Sequence, residues 1–402
     1  MFRFHITDAT AAHVARIEHL REQLDRRGPL PRVWAGRTRA DLVAEAASAS
    51  VRLEGVNVTA DEARRILMGD RPASVSAGDA AELMAYREAM ALVLSRADDS
   101  GFVWQRELIL AVHRSVMGGS YAAEAGRIRR VQNWLANAST GEQVFQPVMP
   151  ESVAGLLDEL CDWLGACEKD APVAAAAAHV RMAAIHPFRD GNGRTARVLS
   201  SLVMYRGGYR APQFTSLEEW WGRHVDAYYE AFECLGDSYD EAADVTPFVS
   251  AHVAAQATQA EALSLRDTLE RALWTVLTDI AVHDLQLNER ASHALYDALF
   301  GRAVTNRYYR AVADVSDVTA VQDLRKLVAA GLIEARGGGR TAHYVGADRL
   351  LDTVAGAAEI DPARLGAGEF CARARALVAA LAHRLQGEEI REDSLPYCAQ
   401  RG

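Results

Sequence analysis

The clearest apolar pattern in the chain is an alanine-rich stretch from Ala171 to Ile185. Most of its positions are apolar and alanine favours helices, so the stretch predicts a buried helix. Pro187 ends that helix, because a proline cannot continue the backbone hydrogen bonds. Gly191 and Gly193 then predict a turn, with a second helix beginning near Arg194. The pattern therefore predicts two helices joined by a short glycine-rich loop.

Other segments extend this mainly helical picture. Helical periodicity runs from Leu217 to Leu235 and again around Ala257 to Thr278. Near the C-terminus a helical pattern over Thr319 to Ala330 precedes two short segments, Gly331–Ala335 and Gly337–Val345, which are typical of a β-hairpin. The fold class predicted is mainly α, with small β-hairpins.

Composition limits the class of protein. The chain has 402 residues, of which 50% are hydrophobic and 24% charged, enough for two or three globular domains. It lacks an apolar run of membrane-spanning length and a signal segment, so we expect a cytoplasmic protein with no membrane partner. The five cysteines are scattered without metal-type spacing, and we expect reduced thiols.

The glycine-rich loop carries a candidate phosphate site. Backbone N–H groups at a helix N-terminus attract anions, and Gly191 and Gly193 permit a close approach. Arg194 and Arg197 lie three residues apart on the second helix, so both can reach one polyphosphate. Two arginines on a helix are more often solvated, so each residue alone has an ordinary structural interpretation.

Three further side chains in this loop have chemistry suited to phosphate transfer. Asp190 offers hard oxygen ligands for a Mg²⁺ ion, and Asn192 can donate to a phosphate oxygen. His186 is the natural group to take a proton from an attacking hydroxyl. A lone histidine after an apolar helix is usually a packing residue. The fixed order of all these residues together favours a functional site.

The stretch His186–Arg197 matches the signature H-x-F-x-[DE]-G-N-G-R-x-x-R at every defined position and so resembles the Fic (Fido) family. The resemblance implies a helical core with a β-hairpin flap that transfers AMP from ATP to a protein hydroxyl, releasing pyrophosphate. It implies His186 as general base, Asp190 as the Mg²⁺ ligand and Asn192 as an α-phosphate contact. The other implied phosphate contacts are an anion hole at Gly191 and Gly193, and Arg194 and Arg197 on the β- and γ-phosphates.

Related Doc toxins, which are kinases, carry a lysine at the place of Gly193, so this glycine favours AMP transfer. Another nucleotide as donor, or removal of AMP by water, stays open. A second alternative is a nucleotide-sensing transcriptional or adaptor protein. The intact His186 favours catalysis, because a sensor needs no general base.

A second match lies upstream, in Ser50–Gly55. Its Ser50, Glu54 and Gly55 fit [ST]-x-x-x-E-[GN], the pattern of the family's inhibitory segment. The resemblance implies that Glu54 pairs with Arg197 in place of the γ-phosphate, since a carboxylate can mimic a pair of phosphate oxygens. A solvated glutamate near a helix end is the ordinary alternative.

Two more stretches resemble parts of the family. Gly126–Trp134 is similar to the segment before the target-docking flap, which places Val144, Phe145 and Gln146 in the flap. There an edge strand can hold a target segment by main-chain pairing. Elsewhere, Tyr228 and Tyr229 are similar to a tyrosine pair that contacts the nucleoside, although tyrosines at helical spacing are more often core residues.

The C-terminal third resembles a winged helix-turn-helix module. Arg325 and Lys326 would then lie on the helix that reads DNA. The net charge of the whole chain is −10 and the module lacks a basic stripe, so DNA binding is the less favoured alternative to a structural or docking role. Self-modification and a homodimer are further possible associations.

These landmarks divide the chain into four parts. Residues 1–98 form a helical region with the inhibitory segment 50–55, and residues 99–256 form the Fic core. Residues 257–346 form the winged-helix-like domain, and 347–402 form a helical tail with a frayed end from Gly387.

Overall fold

The computed structural model describes residues 1–27, 32–118, 124–136, 141–211, 214 and 217–386, without side chains at 32–39, 340 and 386. Helices dominate, as the sequence pattern predicts. In chain order they are α1 (Asp8–Arg27), α2 (Arg32–Arg52), α3 (Ala60–Leu67), α4 (Ala77–Ala97), α5 (Arg106–Val116), α6 (Pro150–Ala166), α7 (Ala171–Ile185), α8 (Asn192–Arg206), α9 (Leu217–Arg223), α10 (Val225–Glu230), α11 (Thr246–Asp279), α12 (Ser292–Leu299), α13 (Asn306–Ala313), α14 (Asp317–Ala329), α15 (Asp348–Ala357) and α16 (Phe370–Gln386).

Four short strands form two antiparallel pairs in the described part of the chain. Strand β1 (Leu135–Ala136) pairs with β2 (Gln143–Phe145), with an irregular register between the two β1 residues. Strand β3 (Ile333–Arg336) pairs in regular register with β4 (His343–Gly346). The small β-hairpins expected from the sequence are therefore present.

The chain divides into two compact units. Unit 1 comprises Met1–Gly28 and Arg39–Glu261, and unit 2 comprises Pro29–Thr38 and Ala262–Gly402. The helix α11 runs without interruption through residues 256 and 257, where the sequence analysis divides two domains. Its sequence has no glycine or proline after Pro247, so nothing in the backbone ends the helix earlier.

The helix α8 occupies the centre of unit 1. It packs against α4, α5 and α7, and every residue from Arg194 to Tyr205 is buried. The alanine run Ala174–Ala178 of α7 is buried as well, because its small side chains let α7 and α8 approach closely. These two helices are the ones predicted on either side of the glycine-rich loop.

The helical pattern predicted over 217–235 is interrupted in the structure. It forms α9, then α10, then a 3₁₀ turn at Ala231–Leu235. The break falls at His224, whose ring stacks on Trp220 at 4.0 Å and bonds the Trp220 carbonyl. Hydrophobic periodicity does not reveal this break, although Gly222 lies two residues before it.

Unit 2 has its own core, formed mainly by α11, α12 and the helices α14 to α16. The helices α12, α13 and α14 precede the β3–β4 pair, an order compatible with the predicted winged module, which stays a prediction. Val304 adds a further antiparallel bridge to Tyr344. The frayed tail expected from residue 387 lies outside the described residues.

Two further observations concern membrane-spanning helices and cysteines. None of the described helices is long and apolar enough to cross a membrane. Cys161, Cys167, Cys234 and Cys371 are free thiols, and Cys398 lies outside the described residues.

Candidate active site

The loop between α7 and α8 is closed by its own side chains. Its entry is His186, which caps α7 in the left-handed conformation (φ 49°), a rare state for a residue with a side chain. The Asn192 amide accepts from the Phe188 N–H and donates to the Phe188 carbonyl, both at 2.9 Å. Phe188 is fully buried and stacks on His113 at 3.6 Å. The loop is therefore fixed before any ligand binds.

The ring of His186 is held as a neutral base. Its Nδ1 lies 3.2 Å from the Ala183 carbonyl, which can only accept, so the proton sits on Nδ1. The lone pair is then on Nε2. Burial lowers the pKa of His186 to about 4, so the ring is unprotonated at neutral pH.

The first turn of α8 is where the glycines predict a phosphate cradle. Its backbone N–H groups have no carbonyl partner within the helix, which is the general property of a helix N-terminus. Gly191 has φ 74°, and a Cβ there would lie 2.5 Å from the Met117 sulfur. A Cβ on Gly193 would lie 2.7 Å from Glu54 Oε1. The carboxylate of Glu54 thus lies directly against this turn.

Arg197 is extensively hydrogen-bonded. Its Nη2 donates to Glu54 Oε1 at 2.7 Å and to the Ser50 carbonyl at 3.0 Å, and its Nε donates to Ser50 Oγ at 3.1 Å. Only 3% of Arg197 is exposed, against 25% of the Glu54 side chain. The turn that ends at Gly55 (φ 88°) presents Glu54. The structure thus brings Ser50 and Glu54 of the predicted inhibitory segment to Arg197, and Gly55 ends the turn that carries Glu54.

Arg194 has different partners from Arg197, although the two lie on one helix. Its Nη1 donates to Glu82 of α4 at 3.0 Å, and its Nη2 lies 3.6 Å from Asp190. Asp190 Oδ1 also accepts the Gly191 N–H at 2.6 Å, while its other oxygen has no partner among the described residues. The two arginines are therefore each pre-paired with a carboxylate.

The tyrosine pair predicted to contact a nucleoside is divided by the structure. Tyr228 is buried, with its hydroxyl near Arg197 and His179. Tyr229 is 56% exposed and its hydroxyl donates to the Leu53 carbonyl at 3.2 Å. Of the two rings, only that of Tyr229 is accessible for stacking, because the ring of Tyr228 lies within the core.

The residues predicted for the flap lie in and next to β2. Val144 is 48% exposed, whereas the Phe145 side chain is buried. Gln146 is already paired through its backbone, since its N–H donates to Asp237 and its carbonyl accepts from Tyr239. Of the three, Val144 has the most exposed side chain.

Two residues that support the site were missed by the sequence analysis. His113 of α5 bonds the Asp190 carbonyl and accepts the Gly126 N–H, each at 2.9 Å. Arg129 donates from Nε to the His186 carbonyl at 2.8 Å and also to the Val148 carbonyl. Arg129 was visible only as part of the stretch Gly126–Trp134. His113 gave no signal, because only the tertiary structure brings it to the loop.

Comparison with known proteins agrees with this geometry. Residues 104–204 match the model of the Fic/DOC family. The protein adenylyltransferase fic-1 of Caenorhabditis elegans is 42% identical over 104 residues, which is 25% of this chain and 19% of that protein. The protein adenylyltransferase Fic of Nematostella vectensis is 35% identical over 106 residues, 25% of this chain and 23% of that protein. The matched region thus spans about a fifth of the length of these curated relatives.

Solved structures resemble a larger part of the chain. A Fic family protein from Desulfovibrio desulfuricans aligns with a TM-score of 0.56 and 22% identity over 86% of this chain and 97% of that one. A Fic domain containing signaling protein from Bacteroides thetaiotaomicron aligns with a TM-score of 0.53 and 22% identity, over 63% of this chain and 95% of that one. The fold is shared, and residues 104–204 form a Fic/DOC family domain.

Proposed function

We propose that this protein transfers AMP from ATP to a hydroxyl side chain of a protein and releases pyrophosphate. The observation that carries the proposal is a neutral His186, with its free lone pair on Nε2, at the entry of a glycine cradle. The protein adenylyltransferases that resemble residues 104–204 support the same activity. ATP is accordingly the proposed substrate.

The chain's own residues account for each step of this transfer. His186 Nε2 takes the proton of the target hydroxyl as its oxygen attacks the α-phosphorus. The new P–O bond forms while the bond to the β-phosphate oxygen breaks, so pyrophosphate leaves. The unpaired N–H groups at the start of α8 stabilise negative charge on the phosphate oxygens, and Arg194 and Arg197 hold the β- and γ-phosphates.

A Mg²⁺ ion fits one place in this arrangement. Asp190 has one carboxylate oxygen without a partner among the described residues, and Mg²⁺ is usually bound by one or two carboxylates together with substrate phosphates. Within the described part of the chain no three ligand-type side chains form a metal cluster. Asp190 would therefore hold the ion with the nucleotide, and the ion would neutralise phosphate charge.

The contact between Glu54 and Arg197 is proposed to inhibit the reaction. The Glu54 carboxylate bonds the guanidinium and lies against Gly193, which is where the terminal phosphates of ATP would bind. A phosphate and a carboxylate compete for the same donors, so ATP binds productively only after Glu54 leaves. What displaces it is a matter for experiment.

The target segment is proposed to pair with the β1–β2 hairpin. Within the described residues the hairpin has only these two strands, so each has an outer edge with backbone groups available for pairing. Val144 lies in the middle of β2 and is exposed. Main-chain pairing would hold the acceptor hydroxyl in extended backbone with little dependence on its sequence.

The decisive test uses the Glu54→Gly variant with cell lysate and ATP labelled on either the α- or the γ-phosphate. We expect the α-label, and not the γ-label, to be transferred to protein, in an amount at least about tenfold above that given by the unchanged chain. The reason is that ATP no longer has to break the charged hydrogen bond between Glu54 and Arg197, and such a bond changes an equilibrium constant by at least about tenfold. Mass spectrometry of the product identifies the acceptor side chain. Other labelled nucleotides, run in parallel, identify the preferred donor.

The matched control is Glu54→Gly combined with His186→Ala. It should bind ATP yet show no labelling, since the base is lost while the cradle is intact. Labelling that survives in the double variant would refute the role of His186. Transfer of γ-label would instead indicate a kinase.

A further inference from the structure

A chain of buried side chains continues inward from Arg197. Arg197 Nη1 donates to the Tyr228 hydroxyl at 3.4 Å, and that hydroxyl lies 3.1 Å from His179 Nε2. His179 Nδ1 in turn lies 3.3 Å from His252 Nε2. No member is more than 4% exposed. The four side chains come from α8, α10, α7 and α11, so only the tertiary structure assembles the chain.

The direction of every bond in this chain follows from its first member. A guanidinium can only donate, so the Tyr228 oxygen accepts from Arg197, and among the described residues His179 Nε2 is the acceptor within reach of the Tyr228 proton. His179 then carries its own proton on Nδ1 and donates it to His252 Nε2. His252 must therefore be protonated on Nδ1. The network assigns one tautomer to each histidine.

This arrangement requires both histidines to be neutral. Burial lowers the pKa of His179 well below its usual value, with the nearby His252 and Arg197 charges acting in the same direction. Burial alone lowers the pKa of His252 to about 3. A protonated His179 could not accept the Tyr228 proton, so neutrality maintains the direction of the chain.

The far end of the chain meets further polar groups. His252, Glu218 and Gln256 line a cavity of about 10 Å³. Glu218 Oε2 and Gln256 Oε1 have no partner in the described part of the protein, so they can accept the final His252 proton through one water molecule.

Tyr228 differs from the other partners of Arg197 in its location. Ser50 and Glu54 belong to the inhibitory segment, whereas Tyr228 lies on α10 and is fixed by the aromatic rings of Trp221 and Phe232. The contact between Tyr228 and Arg197 therefore does not depend on the position of the inhibitory segment, including when Glu54 has left.

We propose that Tyr228 and His179 are positioning residues for Arg197, which hold its guanidinium oriented toward the phosphate cradle once Glu54 is displaced. The proposal rests on the proposed function, in which Arg197 binds the terminal phosphates. It gives Tyr228 a role behind the arginine in place of a contact with the nucleoside. Loss of this hydrogen-bond chain should weaken the binding of ligands that carry β- and γ-phosphates, and it should leave the affinity for ligands without them unchanged.

The test measures ATP and AMP affinities by calorimetry in a parent that carries Glu54→Gly and His186→Ala, so that nothing turns over. Tyr228→Phe removes only the hydroxyl and keeps the ring. We expect it to weaken ATP binding about tenfold, as for one lost hydrogen bond to a charged group, and to leave AMP binding unchanged. His179→Leu should have the same effect, whereas His179→Gln, which can still accept the Tyr228 proton, should largely restore ATP affinity.

Tyr209→Phe is the matched control, because that buried hydroxyl bonds Glu18 and lies outside the network. It should leave both affinities unchanged. Equal losses for ATP and AMP in Tyr228→Phe, or no loss at all, would overturn the positioning role.

Nitrogen-15 NMR of the histidine rings in the unchanged chain tests the network separately from function. We expect both His179 and His252 to be protonated on Nδ1 at neutral pH. A His179 ring protonated on Nε2 would refute the proposed hydrogen-bond network. If the parent variant binds no ATP while both rings show the expected tautomer, the proposed function and the positioning role fail although the network itself exists.

Discussion

At the residue scale, the site depends on how single side chains are held rather than on their identity alone. The sequence predicts His186 as a base, and the contact of its Nδ1 with the Ala183 carbonyl leaves the lone pair on Nε2. Asn192, expected to contact the α-phosphate, has an amide that closes the loop through Phe188. Its phosphate contact stays a prediction.

The pH dependence of the reaction should report the buried state of His186. A general base works only when unprotonated, so activity falls as the pH drops through its folded pKa. With that pKa lowered to about 4, the labelling rate of Glu54→Gly should be flat between pH 7.5 and pH 6. Removing Glu54 also removes a charge that raises this pKa, so this electrostatic change by itself moves the acidic limb to lower pH.

The measurement is the initial rate of α-label transfer with excess Mg²⁺, using a protein acceptor whose modified residue is known. An unperturbed histidine would give a midpoint near pH ~6.5. A limb centred there would show that the His186 ring becomes solvated in the active state.

At the scale of elements, the helix boundaries next to Pro187 were predictable from the chain, and the exact course of two other helices was not. The α7 helix and the loop after it follow from Ala171–Ile185 and Pro187. The interruption at His224 follows Gly222, a local feature that hydrophobic periodicity does not register. The unbroken course of α11 has no local signal of the expected domain boundary.

Arg129 joins three of these elements at the active site. Its guanidinium donates to the carbonyls of His186, Val131 and Val148, and its backbone N–H donates to the Pro187 carbonyl. Arg129→Met removes the donor to three carbonyls, of which that of Val148 is in a buried bond and the other two are in partly buried ones. An unpaired buried group costs about 1–3 kcal/mol, so we expect a loss of about 2 kcal/mol in the free energy of unfolding of unit 1, with reduced labelling in the Glu54→Gly background.

Denaturant unfolding measures the stability, and Arg130→Met is the control, since that neighbouring arginine is exposed. Equal stability of the two variants would show that Arg129 does not fix the loop.

At the scale of the whole molecule, charge decides which partners are favoured. The net charge of −10 opposes nucleic acid, and basic residues of unit 2 are paired with carboxylates, among them Arg290 with Asp323 and Arg336 with Glu334. Phosphate contacts supply most non-specific DNA affinity, and they require basic side chains that are available.

We therefore expect the full chain to bind random-sequence duplex DNA more weakly than about 10⁻⁵ M at physiological salt. Fluorescence anisotropy with a labelled duplex measures this. A dissociation constant below about 10⁻⁶ M would support the transcriptional alternative. In that case the double variant Arg325→Glu, Lys326→Glu on α14 should abolish DNA binding.

The sequence by itself determined the helical class and predicted the glycine-rich loop between α7 and α8, with a candidate base, a candidate acid and two arginines. These features are local, so spacing and residue type are sufficient to reveal them. The tertiary structure alone decided which carboxylate each arginine meets and which tyrosine is buried. It also decided that His113, Arg129 and His179 support the site. Those contacts join residues far apart in the chain, and only packing brings them within hydrogen-bonding distance.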